Sequence, residues 1–160
     1  MSSSIPSEAI LLIGVIIAAV ALSQSFITSM AVIQQKTMSS TASMGEKLNT
    51  DVKLIFAAQA DLGIIKIWVK NIGVATIFEG SIRDSDVFFG KEGNFQRYDF
   101  SETGEGWTYV LLQETDNGWR PGETMEIDLT PSTLLEPGDY YVRFVTYNGV
   151  KSEFFFSIGE

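Results

Sequence analysis

Along the chain the hydrophobic pattern changes once, from one long uncharged run to many short alternating segments. Twenty-seven residues from Ala9 to Gln35 carry no charge. As a helix they would measure about 40 Å, against a hydrocarbon core of about 30 Å, so length permits a membrane span. The run is uneven: Ala9 to Leu22 is almost wholly apolar, whereas Ser23, Gln24, Ser25, Thr28, Ser29, Gln34 and Gln35 lace the second half. Its thirteen Ile, Leu, Val and Phe side chains favour insertion by about 4 to 8 kcal/mol before polar costs, so the membrane reading survives those hydroxyls and amides. The rival readings are a cleaved signal peptide and a buried core helix. Met1 to Ser7 has no basic n-region, although Ala18, Ala19 and Ala21 resemble a cleavage site.

Residues 36–50, KTMSSTASMGEKLNT, are rich in Ser, Thr and Met and read as a helix end or a linker. Beyond them the period becomes two. DVKLIFA, IIKIWVK, DVFF, FQRYDF, WTYVLLQ, TMEIDL, YYVRFVTY and VKSEFFFSI stand between Gly, Pro, Asn and Asp punctuation. Such a series predicts a mainly β chain: an immunoglobulin-like β-sandwich over residues 51–160, preceded by one long hydrophobic α-helix over residues 1–35. Asn148-Gly149 suits a two-residue type I′ hairpin turn. In the strand before it Tyr140, Val142, Phe144 and Thr146 form the expected core face, with Tyr141, Arg143, Val145 and Tyr147 opposite. RPGETMEIDLT and EPGDYYVRFVT form a near-repeat whose Pro121-Gly122 and Pro137-Gly138 each predict a turn launching a strand, at the spacing of neighbouring sandwich strands.

Composition then removes several function classes. A net charge of −9, with eleven Lys and Arg among twenty Asp and Glu, argues against nucleic-acid binding, which rests on clustered bases. With no Cys there is neither disulfide nor thiolate metal site, and with no His the commonest general base and zinc ligand are missing. Eight acids from Asp99 to Asp128 face only Arg120, but nothing in their spacing selects a glycosidase pair, and solvated strands and loops explain them better. Asp84 and Asp86 resemble part of a calcium loop that lacks its closing glutamate. Trp68, inside an apolar strand, is expected in the core, while Trp107 and Trp119, beside glycines and acids, are the candidates for an exposed partner contact. Without a phosphate loop, nucleophile elbow or glycosylation sequon, the chain reads as a binding or structural protein rather than an enzyme. No cofactor, metal, nucleic acid or small-molecule substrate is expected.

The helix itself carries the other candidates. Gly14, Ala18 and Ala21 fall at helical spacing and would let another helix approach closely, with Leu12 and Ile17 as apolar neighbours. Small residues are also simply common in membrane helices. Glu8 is the single acid at the head of the run, and the next charge is Lys36. Its place after Pro6 and Ser7 also suits an ordinary helix N-terminus.

A glutamate at the head of a small-residue apolar helix, ahead of an all-β domain, resembles the type IV pilin-like architecture of archaeal surface filaments. SEAILLIGVIIAAVAL at the head, WVKNIGVATI in an early strand and EPGDYYVRFVTYNGVKSEFFF at the end are similar to the archaellum accessory proteins FlaG and FlaF, whereas residues 80–120 carry no motif of that family. The resemblance implies a stator component anchored in the cytoplasmic membrane by its helix, with the sandwich outside. Its implied partners are the sister accessory protein, the S-layer and, through the helix, further copies of itself. Glu8 matches the acid that in pilin-like helices meets the amino end of a neighbouring subunit. Lys36 and Lys47 after the helix weigh the other way on orientation, although long domains are translocated regardless of charge. The motifs do not separate FlaG from FlaF. Two alternatives stand beside this reading: a pilin-like or archaellin-like filament subunit, and a membrane-tethered carbohydrate-binding module with an aromatic platform at Trp107 or Trp119.

True filament subunits carry a basic leader ending near Gly, and Met1 to Ser7 offers no Lys, Arg or Gly. The expectation is therefore an unprocessed helix. Intact mass of the native protein should equal that of the full chain, and loss of the first few residues would favour a filament subunit.

Overall fold

A computed structural model describes residues 5–61, 63–91, 93–113 and 118–159. The chain divides into two units, one up to Ser43 and one from Met44 onward.

The first unit is helix α1, which runs from Ile5 to Asn49 and contributes its last turns to the second unit. Residues 36–49 are thus helical. Every side chain from Ser7 to Ser43 is exposed, including Ile10, Leu11, Ile17, Leu22 and Phe26. A surface this apolar and bare calls for lipid or for another protein. The hydroxyls that interrupt it are already satisfied: Ser23, Thr28 and Ser29 donate to the carbonyls of Ala19, Gln24 and Ser25 at 2.9, 2.9 and 2.8 Å. A hydroxyl bonded four residues back within its own helix carries much less desolvation cost into an apolar environment.

The second unit is a sandwich. Its elements are β1 (Val52–Asp61), β2 (Ile64–Asn71), β3 (Ile77–Phe78), α2 (Glu79–Arg83), β4 (Asp86–Lys91), β5 (Asn94–Tyr98), β6 (Gly106–Leu111), β7 (Gly118–Trp119), β8 (Thr124–Thr130), β9 (Gly138–Val145) and β10 (Lys151–Ile158). One four-stranded sheet has the order β1-β2-β8-β6 and the other β10-β9-β4-β5, while β3 and β7 form a two-residue ribbon. All strand neighbours are antiparallel.

Alternation in sequence decides which face is buried. Ile65, Ile67 and Val69 of β2 lie opposite Leu129, Ile127 and Met125 of β8, and all six are fully buried. The facing sheet supplies Val87, Phe89, Tyr140, Val142 and Phe144. Tyr140, Val142, Phe144 and Thr146 are buried as the alternation predicts, but Tyr141, expected on the opposite face, is buried as well at 5% exposure, packed against Phe95 and Phe155. Across the core the Phe144 ring meets Trp107 and Trp119, each at 6.2 Å between centroids.

Several local expectations are corrected. Trp107 and Trp119 are both 0 % exposed and supply core volume rather than a contact surface. Neighbouring glycines and acids misled, because Trp107 stands on the inward register of β6 and Trp119 closes the ribbon against Ile77. Trp68 falls on the outward register of β2, half-buried against Phe56 at 5.7 Å rather than inside the core. The terminal hairpin exists, but its connection is longer than two residues: Gly149 N donates to Thr146 O, Thr146 N donates to Val150 O, and Gly149 takes φ 82°. That is a turn followed by a left-handed glycine, the three-residue form. Pro121-Gly122 makes the expected turn, with Gly122 at φ 85° and Glu123 N donating to Arg120 O, whereas Gly138 is already the first residue of β9. The strands that follow the two Pro-Gly pairs, β8 and β9, lie in opposite sheets.

Truncation separates the two kinds of tryptophan. Trp107→Ala should cost about 3–5 kcal/mol, and Trp68→Ala clearly less, as read from urea unfolding of the sandwich. Equal costs would contradict the assigned faces.

Candidate assembly and anchoring site

Of the residues expected to act in the helix, Glu8 sits in its first turn, where the macrodipole favours an acid. Leu12, Gly14, Ile17, Ala18 and Ala21 are all exposed, and a Cβ built on Gly14 would meet nothing within 4 Å. Gly14, Ala18 and Ala21 recur at i, i+4 and i+7 and so share one face. This stripe is open along its length, and what covers it would have to come from outside the described residues.

The second unit shows a feature that the sequence pattern did not announce. A helix leaves its last four carbonyls without partners, and here the β2–β3 loop caps the final one, Asn49 O, together with Asp51 O just beyond the helix. Val74 N and Ala75 N both donate to Asn49 O at 3.0 Å, and Ile72 N and Gly73 N both donate to Asp51 O at 2.9 Å. The fit depends on glycine, since a Cβ at Gly73 would lie 2.5 Å from Asp51 N and 2.7 Å from Asn49 O. Asn71 holds the loop in shape. Fully buried, it donates through Nδ2 to Ala75 O at 2.9 Å and Trp119 O at 3.0 Å, and its Oδ1 accepts from Gly73 N at 3.0 Å. Trp119 is fastened in turn by its own Nε1, which donates to Glu123 O at 2.9 Å.

A second clasp comes from the terminal hairpin. The Tyr147 hydroxyl donates to Glu46 Oε1 at 2.8 Å, and Asn148 Nδ2 donates to Thr50 Oγ1 at 2.9 Å. Thr50 also closes the helix, its N and Oγ1 both donating to Glu46 O at 3.1 and 2.9 Å. Burial, and then the neighbouring Glu46 carboxylate, push the Tyr147 phenol above its ordinary value. The KN-G element and the Tyr-Asn-Gly turn therefore converge on one place, the point where the helix passes into β1. An Asn two residues before a Gly was the available signal, because it marks a side chain able to bond its own loop.

Elsewhere the acids are engaged as ordinary surface groups. Lys66 bridges Glu126 and Asp128, Arg97 holds Asp86 at 3.1 Å and also Asp99, and Arg143 holds Glu153 at 2.9 Å. Glu114 and Asp116 lie outside the described residues. Among the described residues no group of three or more acidic side chains is placed to hold a metal ion.

The pattern of the family described as "Archaeal-type flagellin" matches residues 2–156. The chain belongs to that family. An uncharacterized protein of Archaeoglobus fulgidus is 26% identical over 162 residues, covering 98% of this chain and 99% of its own. Among solved structures the chain is similar to the archaellum periplasmic stator protein FlaG from Sulfolobus acidocaldarius, at 26% identity and a TM-score of 0.57 over 67% of this chain and 99% of that one. It is similar at the same identity and TM-score to a chain of the FlaF and FlaG complex of that organism, over 67% of this chain and 89% of the other. The resemblance read from the head, the KN-G strand and the final hairpin is thus the one that structural comparison also returns.

Asn71→Ala would strand the buried carbonyls of Ala75 and Trp119 and should cost about 2–4 kcal/mol. Hydrogen exchange should then accelerate at residues 49–51 and 72–75 ahead of the sheet centres. Tyr147→Phe should cost less, about 0.5–1.5 kcal/mol. Because the folded phenol titrates above its unfolded value, this contribution is full below pH about 10 and is lost as pH rises through the raised value. Uniform exchange across the sandwich in Asn71→Ala would contradict the local clamp.

Proposed function

We propose that the protein is a non-enzymatic, stator-type accessory component of the archaellum, held in the cell envelope by α1 and presenting its sandwich to a protein partner outside the cytoplasmic membrane. The observation that carries this reading is the conjunction of a family match running from residue 2 to residue 156 with structural likeness to the periplasmic stator protein FlaG over 67% of the chain. The bare apolar surface of α1 supports an anchor, and a helix of this length and composition is able to cross a membrane. The clamp at the helix exit supports a mechanical role, because load entering at Thr50 is shared at once between the β2–β3 loop and the terminal hairpin.

On this reading the sandwich engages a sister accessory protein, as in the FlaF and FlaG complex, or the S-layer. Glu8, Gly14, Ala18 and Ala21, with Leu12 and Ile17, form the surface through which helices of several copies associate. A second reading, a filament subunit whose helix packs in a filament core, draws on the flagellin family match and on the same small-residue stripe.

The test is binding of the detergent-solubilised full chain to isolated surface layer and to the sister accessory protein. Saturable binding to at least one, weakened by charge substitutions on one sheet face, is expected of a stator. A folded protein that binds neither would remove the anchoring role and leave filament assembly through the helix.

A further inference from the structure

The terminal hairpin clasps the helix through an Asn-Gly pair, and that pair carries chemistry of its own. In Asn148-Gly149 the side-chain amide carbon is followed by a backbone nitrogen that no neighbouring side chain shields. When the Gly149 nitrogen loses its proton and attacks Asn148 Cγ, a new C–N bond closes a five-membered succinimide and ammonia leaves. Water then opens the ring at one of its two carbonyls, giving aspartate or isoaspartate. Water is the sole co-reactant. Loss of ammonia to solvent makes the change one-way.

The folded hairpin withholds each reacting group. Gly149 N, the nucleophile, donates to Thr146 O at 2.8 Å. Asn148 Nδ2, the leaving nitrogen, donates to Thr50 Oγ1 at 2.9 Å, and Asn148 Oδ1 accepts from Thr146 Oγ1 at 2.7 Å. Both ends of the amide are therefore fixed, and ring closure requires the amide to rotate away from both. That rotation breaks the contact with the helix. Reaction and clasp thus exclude one another, so the rate of the first follows the fraction of time for which the second is open. Lys47 stands beside the same turn, its Nζ 3.7 Å from where a Cβ at Gly149 would lie. An ammonium there favours the negative charge that develops on the attacking nitrogen and on the attacked carbonyl oxygen.

The product cannot restore the clasp. Thr50 Oγ1 uses its one proton on Glu46 O at 2.9 Å, so toward residue 148 it only accepts. An amide donates to it, whereas a carboxylate does not. The new charge would also arise near the Glu46 carboxylate, which the Tyr147 hydroxyl holds at 2.8 Å. Isoaspartate adds a backbone carbon to a turn closed by Thr146 N donating to Val150 O at 2.8 Å. Lys47 offers the carboxylate an ion pair, but an exposed pair contributes little and draws the side chain away from Thr50. We propose that Asn148-Gly149 is a self-acting modification site, protected while the hairpin grips α1, converted to aspartate or isoaspartate when the grip opens, and leaving the helix exit permanently loosened. The site stands on the clasp geometry, whatever partner the sandwich engages.

The test follows residue 148 in the detergent-solubilised full chain during incubation in mildly alkaline buffer. A second Asn-Gly occurs at residues 117–118, so conversion is read by mass spectrometry on the tryptic peptide of residues 144–151, FVTYNGVK, in which Asn148 is the only side-chain amide. The same peptide incubated free gives the unprotected rate. Conversion in the folded chain should be slower than in the free peptide by about ten-fold or more. Thr50→Val, which removes the acceptor, should raise it about five-fold, the effect of one hydrogen bond on the opening equilibrium. Tyr147→Phe leaves residue 148 and its acceptor in place and should act in the same direction, which keeps the comparison open if Thr50→Val fails to fold. Asn148→Asp reads the consequence: hydrogen exchange should accelerate at residues 46–50 while the strand centres stay unchanged. Equal rates in the folded chain and the free peptide, no acceleration in either clasp variant, or unaltered exchange at residues 46–50 in Asn148→Asp would overturn the proposal.

Discussion

The carbonyl groups at the C-terminal end of α1 impose the constraint on which the rest of the second unit depends. A helix of forty-five residues must stop somewhere, and the groups it leaves open have to be satisfied by water, by a cap or by another element. Here the satisfying element is a loop held by one buried asparagine, and the loop approaches closely enough to require Gly73. Asn71 in turn draws in Trp119 and, through its own O, Gly122 N at 2.7 Å. The helix exit, the β3–β7 ribbon and the turn that launches β8 are therefore one hydrogen-bonded assembly, built around a residue whose side chain bonds in three directions.

The fold class was legible because two hydrophobic periods were legible. A run too apolar and too long for a half-buried helix, followed by segments of period two, leaves few architectures. β2 and β8 alternate regularly, with Ile65, Ile67 and Val69 facing inward opposite Leu129, Ile127 and Met125. What failed was whatever depended on partners distant in sequence. Trp107 and Trp119 sit among glycines and acids, and only pairing with β8 and β3 turns them inward. Trp68 sits among aliphatic residues, yet its register places it outward, because alternation of single positions outranks the character of the neighbourhood. The clamp was invisible for the same reason: its two halves, Asn71 to Ala75 and Thr146 to Val150, are far apart in the chain and meet only where the helix ends.

The two units solve opposite problems of surface. On the sandwich, the described strand acids and bases are largely paired, as Lys66, Arg97 and Arg143 show, and exposed pairs of this kind contribute little stability. They keep part of the sheet faces hydrated, although Phe95 and Phe155 remain exposed on the outer face of their sheet. On α1 no such pairing is seen among the described residues between Ser7 and Gln35, and hydroxyls turn back on their own backbone. A polar residue that satisfies itself keeps the helix compatible with lipid and equally with a packed bundle, so neither environment is selected by these residues alone. The open stripe of Gly14, Ala18 and Ala21 adds close approach between helices to either case.

That division bears on how a stator-type component would carry load. A sandwich resists deformation through ladders of interstrand hydrogen bonds, which hold only if force reaches many strands together. In this chain the residue after the helix leads straight into β1, an edge strand paired on one side to β2. Load confined to that edge would strip a single ladder. The clamp prevents this confinement. Asn49 and Asp51 are bonded to the loop that continues β2, Glu46 and Thr50 to the hairpin joining β9 and β10, and Leu54 N donates to Ser152 Oγ of β10 at 2.8 Å. Force at the helix exit thus enters both sheets within a few residues, and the elements that distribute it are the same KN-G and Tyr-Asn-Gly motifs by which the relationship to FlaG was first legible.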